Sequence, residues 1–351
     1  MATVLDFSKF NFTAEQIRDI NELLYDEVMQ APEISLIHTI HPNIVFDKEI
    51  GFIGEGGLVG VAGQGCNPTP QSWKIGTRSV KWTPKSWEIL IEDCWKDLES
   101  TCAVYALKTG VDVADFSTTD YYAVVVQVLS VAVKKFIVRL AWFNDTDAKN
   151  VNAGGIITDG VDTKYFSIID GFWKQIIAQT TVKPTQRVAI AENTGATYAQ
   201  QELAPTSAAN YLKALKYKAS MVLRSMTDAI VPCTQSVYDA WEQYNQGKEI
   251  ESLYTKLIDG TETLKAYGMT LMPQPIWDEM IVKYENTGTK LNNPHRAVLT
   301  TKGNLNIGVD KESSFEDMRI WYNLDSRKVK TELMGKADAK LYNPELLQVA
   351  I

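Results

Sequence analysis

Histidine is scarce in this chain: three residues, His38, His41 and His295, among 351. Cysteine is scarce too, and Cys66, Cys94, Cys102 and Cys233 include no CxxC spacing. No GxSxG, HExxH or Walker pattern occurs, which removes the nucleophile elbow, the zinc-protease helix and the phosphate-cradling loop. His38 and His41 stand three apart, but Pro42 and β-branched neighbours favour extended chain there. No cysteine or carboxylate completes a ligand set. Neither a catalytic residue, a metal site nor a cofactor is expected.

Positive charge is in deficit, with a net charge of -8, which argues against a surface dedicated to nucleic acid. The acid pairs Asp278-Glu279 and Glu316-Asp317 are adjacent in sequence, so their side chains point apart, and solvated helix ends are expected. No apolar leader opens the chain, so the cysteines are expected as reduced thiols in a cytosolic setting. The sequons Asn11-Phe-Thr13 and Asn144-Asp-Thr146 then carry no meaning.

Long apolar runs are also missing. The nearest approach lies in Thr118 to Phe143, where Tyr121 to Val133 holds no charge and Lys134, Lys135 and Arg139 follow. A membrane span needs roughly 18 or more uncharged apolar residues, and this run is shorter and rich in valine. Thr118 or Thr119 can cap its start, and the basic residues suit the negative end of a helix. The stretch predicts a buried spine helix about 39 Å long at roughly 1.5 Å per residue. Val124, Val128, Val131 and Phe136 are its expected core residues.

What is present is an ordered globular composition, 45% hydrophobic and 22% charged, on a chain longer than one compact core usually reaches. Two or so folding units follow. Thr13-Ala-Glu-Gln16 is a capping box opening an amphipathic helix with Ile17, Ile20, Leu24 and Val28 on one face. Residues 51 to 65 concentrate glycine (Gly51, Gly54, Gly56, Gly57, Gly60, Gly63, Gly65). Val59 stands where GxGxxG needs its last glycine, so this is no dinucleotide loop. An extended hairpin that leaves the domain fits better, with Gly76 to Trp82 in its return arm. Phe52, Ile53, Leu58, Val59 and Val61 cannot all be covered by such an arm itself, which predicts contact with a neighbouring subunit.

Pro84 to Lys108 has helical spacing (Trp87, Ile91, Cys94, Leu98), and Asn144 to Lys164 reads as loop or small hairpin. Ser167-Ile-Ile-Asp170 predicts the start of a helix over Ile168 to Ala178, and Arg187 to Ala191 a strand. Ser207 to Met226 predicts a helix with Leu212, Leu215, Ala219, Val222 and Met226 on one face and Lys213, Lys216 and Lys218 solvated. Strands are expected at Ala229 to Cys233, Leu264 to Met272, Ala297 to Thr301, Asn306 to Val309 and Leu346 to Ile351. Helices are expected at Thr234 to Gln246 and Pro275 to Tyr284. A hairpin joins Arg319 to Leu324 and Val329 to Leu333 through Asp325-Ser326. The class is α+β, without βαβ alternation or internal repeat.

The order of segments resembles the major capsid proteins of tailed phages with the Hong Kong 97-like fold, nearest to those of Bacteroidetes (crAss-like) phages. The resembling stretches are Ile17-Arg-Asp-Ile-Asn-Glu22, Gly65-Cys66, Trp82-Thr-Pro84 and Cys94 to Glu99. They continue with Phe166-Ser-Ile-Ile-Asp-Gly-Phe-Trp-Lys-Gln175, Pro294-His-Arg-Ala-Val-Leu-Thr300, Asn304-Leu-Asn-Ile-Gly308 and Leu341-Tyr-Asn-Pro-Glu-Leu-Leu-Gln-Val349. The resemblance implies an N-terminal arm (1–44), an E-loop hairpin (45–83), a P domain (84–164) with the spine helix 118–143, an A domain (165–275) and a return to the P domain with C-terminal strands (276–351). It implies self-assembly into hexamers and pentamers of an icosahedral virion head, non-specific proximity to packaged DNA, and assembly in the host cytoplasm without a membrane. No long scaffolding segment precedes the arm helix, so a separate scaffolding protein and a portal are implied partners. No Lys–Asn crosslink pair is matched. A cellular cargo-encapsulating shell of the same fold, and a soluble cytosolic enzyme or binding protein, are the competing readings.

Overall fold

The computed structural model describes residues 31–53, 77–94, 118–246, 254–256, 262–310, 319–323, 325–326 and 328–351. The capping box at 13–16, Leu58, Val59, Val61, Cys66, Cys102 and the pair Glu316-Asp317 lie outside them. The chain opens with helix α1 (Pro32–Ser35), β1 (Thr39–His41), β2 (Lys48–Ile53), β3 (Thr77–Trp82) and β4 (Lys85–Cys94). Helices α2 (Thr118–Phe143) and α3 (Phe172–Val182), strand β5 (Arg187–Val188) and helices α4 (Pro205–Lys218) and α5 (Met221–Ser225) follow. Next come β6 (Ala229–Cys233), α6 (Gln235–Asn245), β7 (Tyr254–Lys256), β8 (Glu262–Ala266), β9 (Met269–Pro273) and α7 (Pro275–Tyr284). The chain closes with β10 (Ala297–Thr301), β11 (Leu305–Val309), β12 (Arg319–Asn323), β13 (Lys328–Leu341) and β14 (Gln348–Ala350).

Helix α2 is the spine, and its side chains are described from Leu129 onward. Leu129, Val133, Phe136, Ile137 and Leu140 form a buried stripe at helical spacing. Near the C-terminus the burial closes around the whole circumference, through Val138, Ala141, Trp142 and Phe143. Val131 lies about 200° round the helix from Leu129 and is 50% exposed. Its expected place in the core is therefore corrected: it faces away from the packed stripe. Helix α3 meets the end of the spine through Gly171. A Cβ there would stand 2.9 Å from the Ala141 carbonyl oxygen and 3.0 Å from that of Asn144. Gly171 N–H donates to Asn144 O at 2.7 Å. Gly171, not Ser167, is the N-cap of α3, so that helix starts later than its sequence spacing suggests.

Among the described residues, a seven-stranded sheet runs β5-β14-β10-β6-β9-β8-β7. It divides the molecule into two cores by simple alternation. Val298, Ile230, Met272 and Val349 face the spine. Leu299, Val231, Leu271 and Ala350 face α4 and α6 on the other side. A five-stranded sheet takes β1-β11-β13-β12, with β4 also paired to β13. The chain passes from one sheet to the other at Lys302–Asn304, between β10 and β11. The hairpin β2–β3 forms a separate two-stranded sheet, in register from Lys48↔Trp82 to Ile53↔Thr77.

Three other expectations are corrected. Residues 85–94 are strand, not helix: Trp87, Ile89 and Ile91 alternate with exposed Glu88, Leu90 and Glu92, and all ten residues pair with Lys328–Ala337 of β13. The stretch 264–272 is two strands, because Tyr267 and Gly268 take positive φ of 51° and 83° in a tight turn. The helix expected over 207–226 breaks at Ala219-Ser220, where the Ser220 side chain caps α5 by accepting from Leu223 N–H. Val222 is consequently exposed. The C-terminal strand β14 lies in the seven-stranded sheet, between β5 and β10.

Candidate functional site

Two surfaces and one junction carry the features that packing alone leaves unexplained. The first surface is the hairpin. Phe52 and Ile53 lie on β2, with their side chains outside the described residues. The hairpin roots in the five-stranded sheet through Trp82, which is fully buried. Gly308 makes room for that indole: a Cβ at 308 would meet Trp82 Cζ3 at 2.8 Å and Ile44 Cγ1 at 3.2 Å. His41 and Tyr342 flank the same ring, at 5.8 and 5.9 Å between centroids.

The second surface is a groove of about 640 Å³ between β4 and the packed stripe of the spine. Trp87, Ile89, Ile91, Leu129, Val133 and Phe136 make it apolar, and Arg139, Lys164 and Tyr165 close one end. Of the expected spine residues, Phe136 is buried here beside Trp87, at 5.1 Å between rings, while the side chains of Val124 and Val128 lie outside the described residues.

The junction joins the spine, α3, α7 and β10. Arg296 and Glu285 form a fully buried ion pair. The guanidinium lies over Phe143 and Trp173, at 5.5 and 5.1 Å, and also donates to Asn293 O and Asn292 O. His38 is buried against Phe172 and holds two bonds: Nδ1–H donates to Ile34 O at 2.9 Å, and Nε2 accepts from Trp142 Nε1–H at 2.8 Å. Burial lowers its pKa to about 4, so it stays neutral. On the spine's polar edge, Lys135 pairs with Glu279 of α7 at 2.7 Å. Past the spine's end, Lys174 is held by Asp145, Asp147 and Asp170 at 2.7, 2.7 and 2.9 Å, which fixes the turn into α3.

The pair Asp278-Glu279 is not a solvated helix end. Asp278 is largely buried and accepts from Gln235 N–H at 2.8 Å, capping α6 from a different element. Burial raises its pKa to about 6. The arrangement nearest to catalytic geometry is Ser236 beside His295. Ser236 Oγ lies 2.7 Å from His295 Nδ1, and His295 Nε2 lies 2.5 Å from the Gln201 carbonyl. A carbonyl stands where a triad would place a carboxylate, burial lowers the histidine pKa, and the adjoining cavity is about 190 Å³. The imidazole acts as a splint between α6, the 198–201 turn and β10. Cys233 is a buried free thiol whose pKa burial pushes up, which makes it unreactive. Among the described residues, no three His, Cys, Asp or Glu side chains converge as a metal site, and no helix is long and apolar enough to cross a membrane.

Sequence reasoning missed Arg139, the Arg296–Glu285 pair, the cap by Asp278 and the staple at His38. The motif Pro294-His-Arg was visible, but no local spacing marks its partners.

No family model and no curated protein matches the sequence. Solved structures do match. A chain of the satellite phage P4 procapsid, solved with its size determination (Sid) protein, superposes with a TM-score of 0.53 at 12% identity, over 94% of this chain and 96% of that one. A chain from Gordonia phage Cozz gives 0.51 at 9% identity, covering 91% and 85%. One from Mycobacterium phage Ogopogo gives 0.51 at 11% identity, covering 90% and 89%. The fold is mixed α+β and Hong Kong 97-like.

Proposed function

We propose that this chain is the major capsid protein of a tailed phage, a structural protein and not an enzyme. Many copies form the icosahedral shell that encloses the double-stranded DNA genome, so the protein resides in the virion. The observation that carries this reading is the match of fold along nearly the whole chain to a phage procapsid protein. The separate β2–β3 hairpin supports it as the E loop laid over a neighbour, with Phe52, Ile53, Leu58, Val59 and Val61 as its contact residues. The spine and the sheet of β13 then serve as the P domain, and the α4–α6 side as the A domain. An acidic chain suits a container whose DNA contact is non-specific, because close phosphate binding needs clustered cations.

The finer reading places the chain with heads of Bacteroidetes (crAss-like) phages, assembled in the host cytoplasm with a separate scaffolding protein and a portal. It rests on the ordered sequence motifs alone. Mass photometry and negative-stain microscopy of the expressed protein, with and without co-expressed neighbouring genes, test the proposal. Closed shells of one or two discrete diameters are expected. A monodisperse small oligomer under every condition would overturn it.

A further inference from the structure

The loop between the spine and α3 turns sharply at residues 158–161. Val161 N–H donates to Thr158 O at 3.2 Å, and Gly160 takes a φ of 87°. A positive φ at the third position alone makes this a type II turn, with Asp159 at the second. Both residues are exposed. The amide at the third position lies outside the turn's own bond, and among the described residues Gly160 N–H has no acceptor. The Asp159 carboxylate accepts one exposed bond, from Asn152 N–H at 2.9 Å. Asp170-Gly171 is the same pair of residues in the opposite setting. Gly171 is buried, and its N–H donates to Asn144 O at 2.7 Å. The Asp170 carboxylate is held by Thr146 N–H, Thr146 Oγ1–H and Lys174 Nζ at 3.0, 2.7 and 2.9 Å. A third such pair, Asp259-Gly260, lies outside the described residues.

We propose that Asp159 is a site of spontaneous isoaspartate formation, and that the fold protects Asp170 from the same reaction. The Gly160 nitrogen attacks Asp159 Cγ, giving up its proton, and one carboxyl oxygen leaves as water. The product is a cyclic imide. Water then opens the imide at the main-chain carbonyl, which routes the backbone through the former side chain. The water lost is returned, and no oxidant, metal or enzyme takes part. Glycine permits the attack because no Cβ shields its nitrogen. At Gly171 the same attack must first break a buried hydrogen bond. The rerouted chain is one methylene longer beside Thr158, and Thr158 ties the loop to the end of α7. Its N–H donates to Tyr284 O at 2.8 Å, and its Oγ1 accepts from Asn286 N–H at 2.9 Å. The modified loop therefore loosens from α7. The inference holds whether or not the chain self-assembles.

Ageing of the full chain tests it. The purified protein is kept warm at neutral pH for several weeks, with a parallel sample in urea, and isoaspartate is located by mass spectrometry with electron-transfer fragmentation. In the folded protein the product is expected at 159 in about tenfold or greater excess over 170. In urea the two sites should convert at comparable rates, because only the fold separates them. Asp159→Glu, whose longer side chain closes a less favourable ring, should abolish the product at 159 and melt with the parent. Limited trypsin digestion reads the consequence. Cleavage after the exposed Lys149 and Lys164 should rise with age in the parent and not in Asp159→Glu. Absence of isoaspartate at 159 from the folded sample, or equal amounts at 159 and 170, would overturn the site. Isoaspartate at 159 with trypsin cleavage unchanged would overturn the loosening of the loop.

Discussion

Trp142 donates its indole N–H to Nε2 of His38 across 2.8 Å, joining the last turn of the spine to the segment that enters the fold. Tryptophan can only donate, so Nε2 must be the unprotonated nitrogen, and Nδ1–H goes to Ile34 O. A proton added at Nε2 would set two donors face to face and bury a charge against Phe172. His38 is therefore a staple that holds only while neutral.

Its acid dependence has a definite sign. The folded pKa of about 4 lies below the ordinary 6.5, so the unfolded chain binds the extra proton first. Stability is lost as pH falls from about 6.5 to 4, by roughly 3 kcal/mol once complete. His38→Gln should flatten the slope of stability against pH over that window. Urea melts at pH 7, 5.5 and 4.5 measure it, and an unchanged slope would remove the staple from the account.

Asp278 works in the opposite direction. Its folded pKa of about 6 lies above the ordinary 3.8, through burial first and the nearby Asp239 as a lesser cause. The folded chain thus takes up the proton first, and stability from this group is present at low pH and lost as pH rises through about 6. Asp278→Asn keeps an acceptor for Gln235 N–H and removes the titration. It should raise stability near pH 7 by about 2–3 kcal/mol. It should also steepen the loss between pH 6 and 4, because the decline due to His38 is no longer offset. A variant less stable than the parent at pH 7 would mean that the carboxylate's charge is needed for the cap.

Arg296 and Glu285 are both buried, so removing one leaves the other as an uncompensated charge. Arg296→Met should cost about 3–5 kcal/mol, and adding Glu285→Leu should recover much of it. Thermal melts of the two single variants and the double variant complete the cycle. Equal additive losses would show the two side chains to be energetically independent.

The extent to which the fold was legible follows from where each decision is made. The spine, α7 and the 319–341 hairpin were readable because their signals are local: a long apolar period, a proline at the first helical position, an Asp-Ser turn. Residues 85–94 were misread because Trp87, Ile91 and Cys94 fit a helix as well as Trp87, Ile89 and Ile91 fit a strand. The choice is made by β13, far along the chain. The buried charges were invisible for a related reason. Arg296, Asp278 and Arg139 look like surface residues until elements distant in sequence close over them, and Val131 looks like core until the spine's open side is seen.

Gly308→Ala tests how the hairpin is rooted. The added methyl would press on Trp82 at 2.8 Å and on Ile44 at 3.2 Å, and neither can move freely in a buried site. A loss of about 1–3 kcal/mol is expected. Trp82→Phe in the same chain should recover part of it, as read by thermal melts. If the alanine variant melts with the parent, the hairpin root is looser than this contact implies.

The final strand gives the sharpest test of how the two cores depend on each other. Leu347, Val349 and Ile351 are buried in the spine core, and Ala350 enters the core under α4 and α6. Chain ends are ordinarily frayed and dispensable, but β14 fills the slot between β5 and β10, pairing Ala297↔Ala350 and Val349↔Arg187. Burial of the three large side chains is worth roughly 5–9 kcal/mol as an upper figure, at about 1.5–3 each. That is comparable to the whole stability of a typical domain, about 5–15 kcal/mol. Removing residues 346–351 would also strand the ladder groups of both neighbours and uncover the sheet on its two faces. The expected result is cooperative loss of both cores, seen as little soluble protein and no thermal transition. Retention of the parent's melting temperature by the truncated chain would show that β10 closes the sheet unaided, and that the apolar end is a tail.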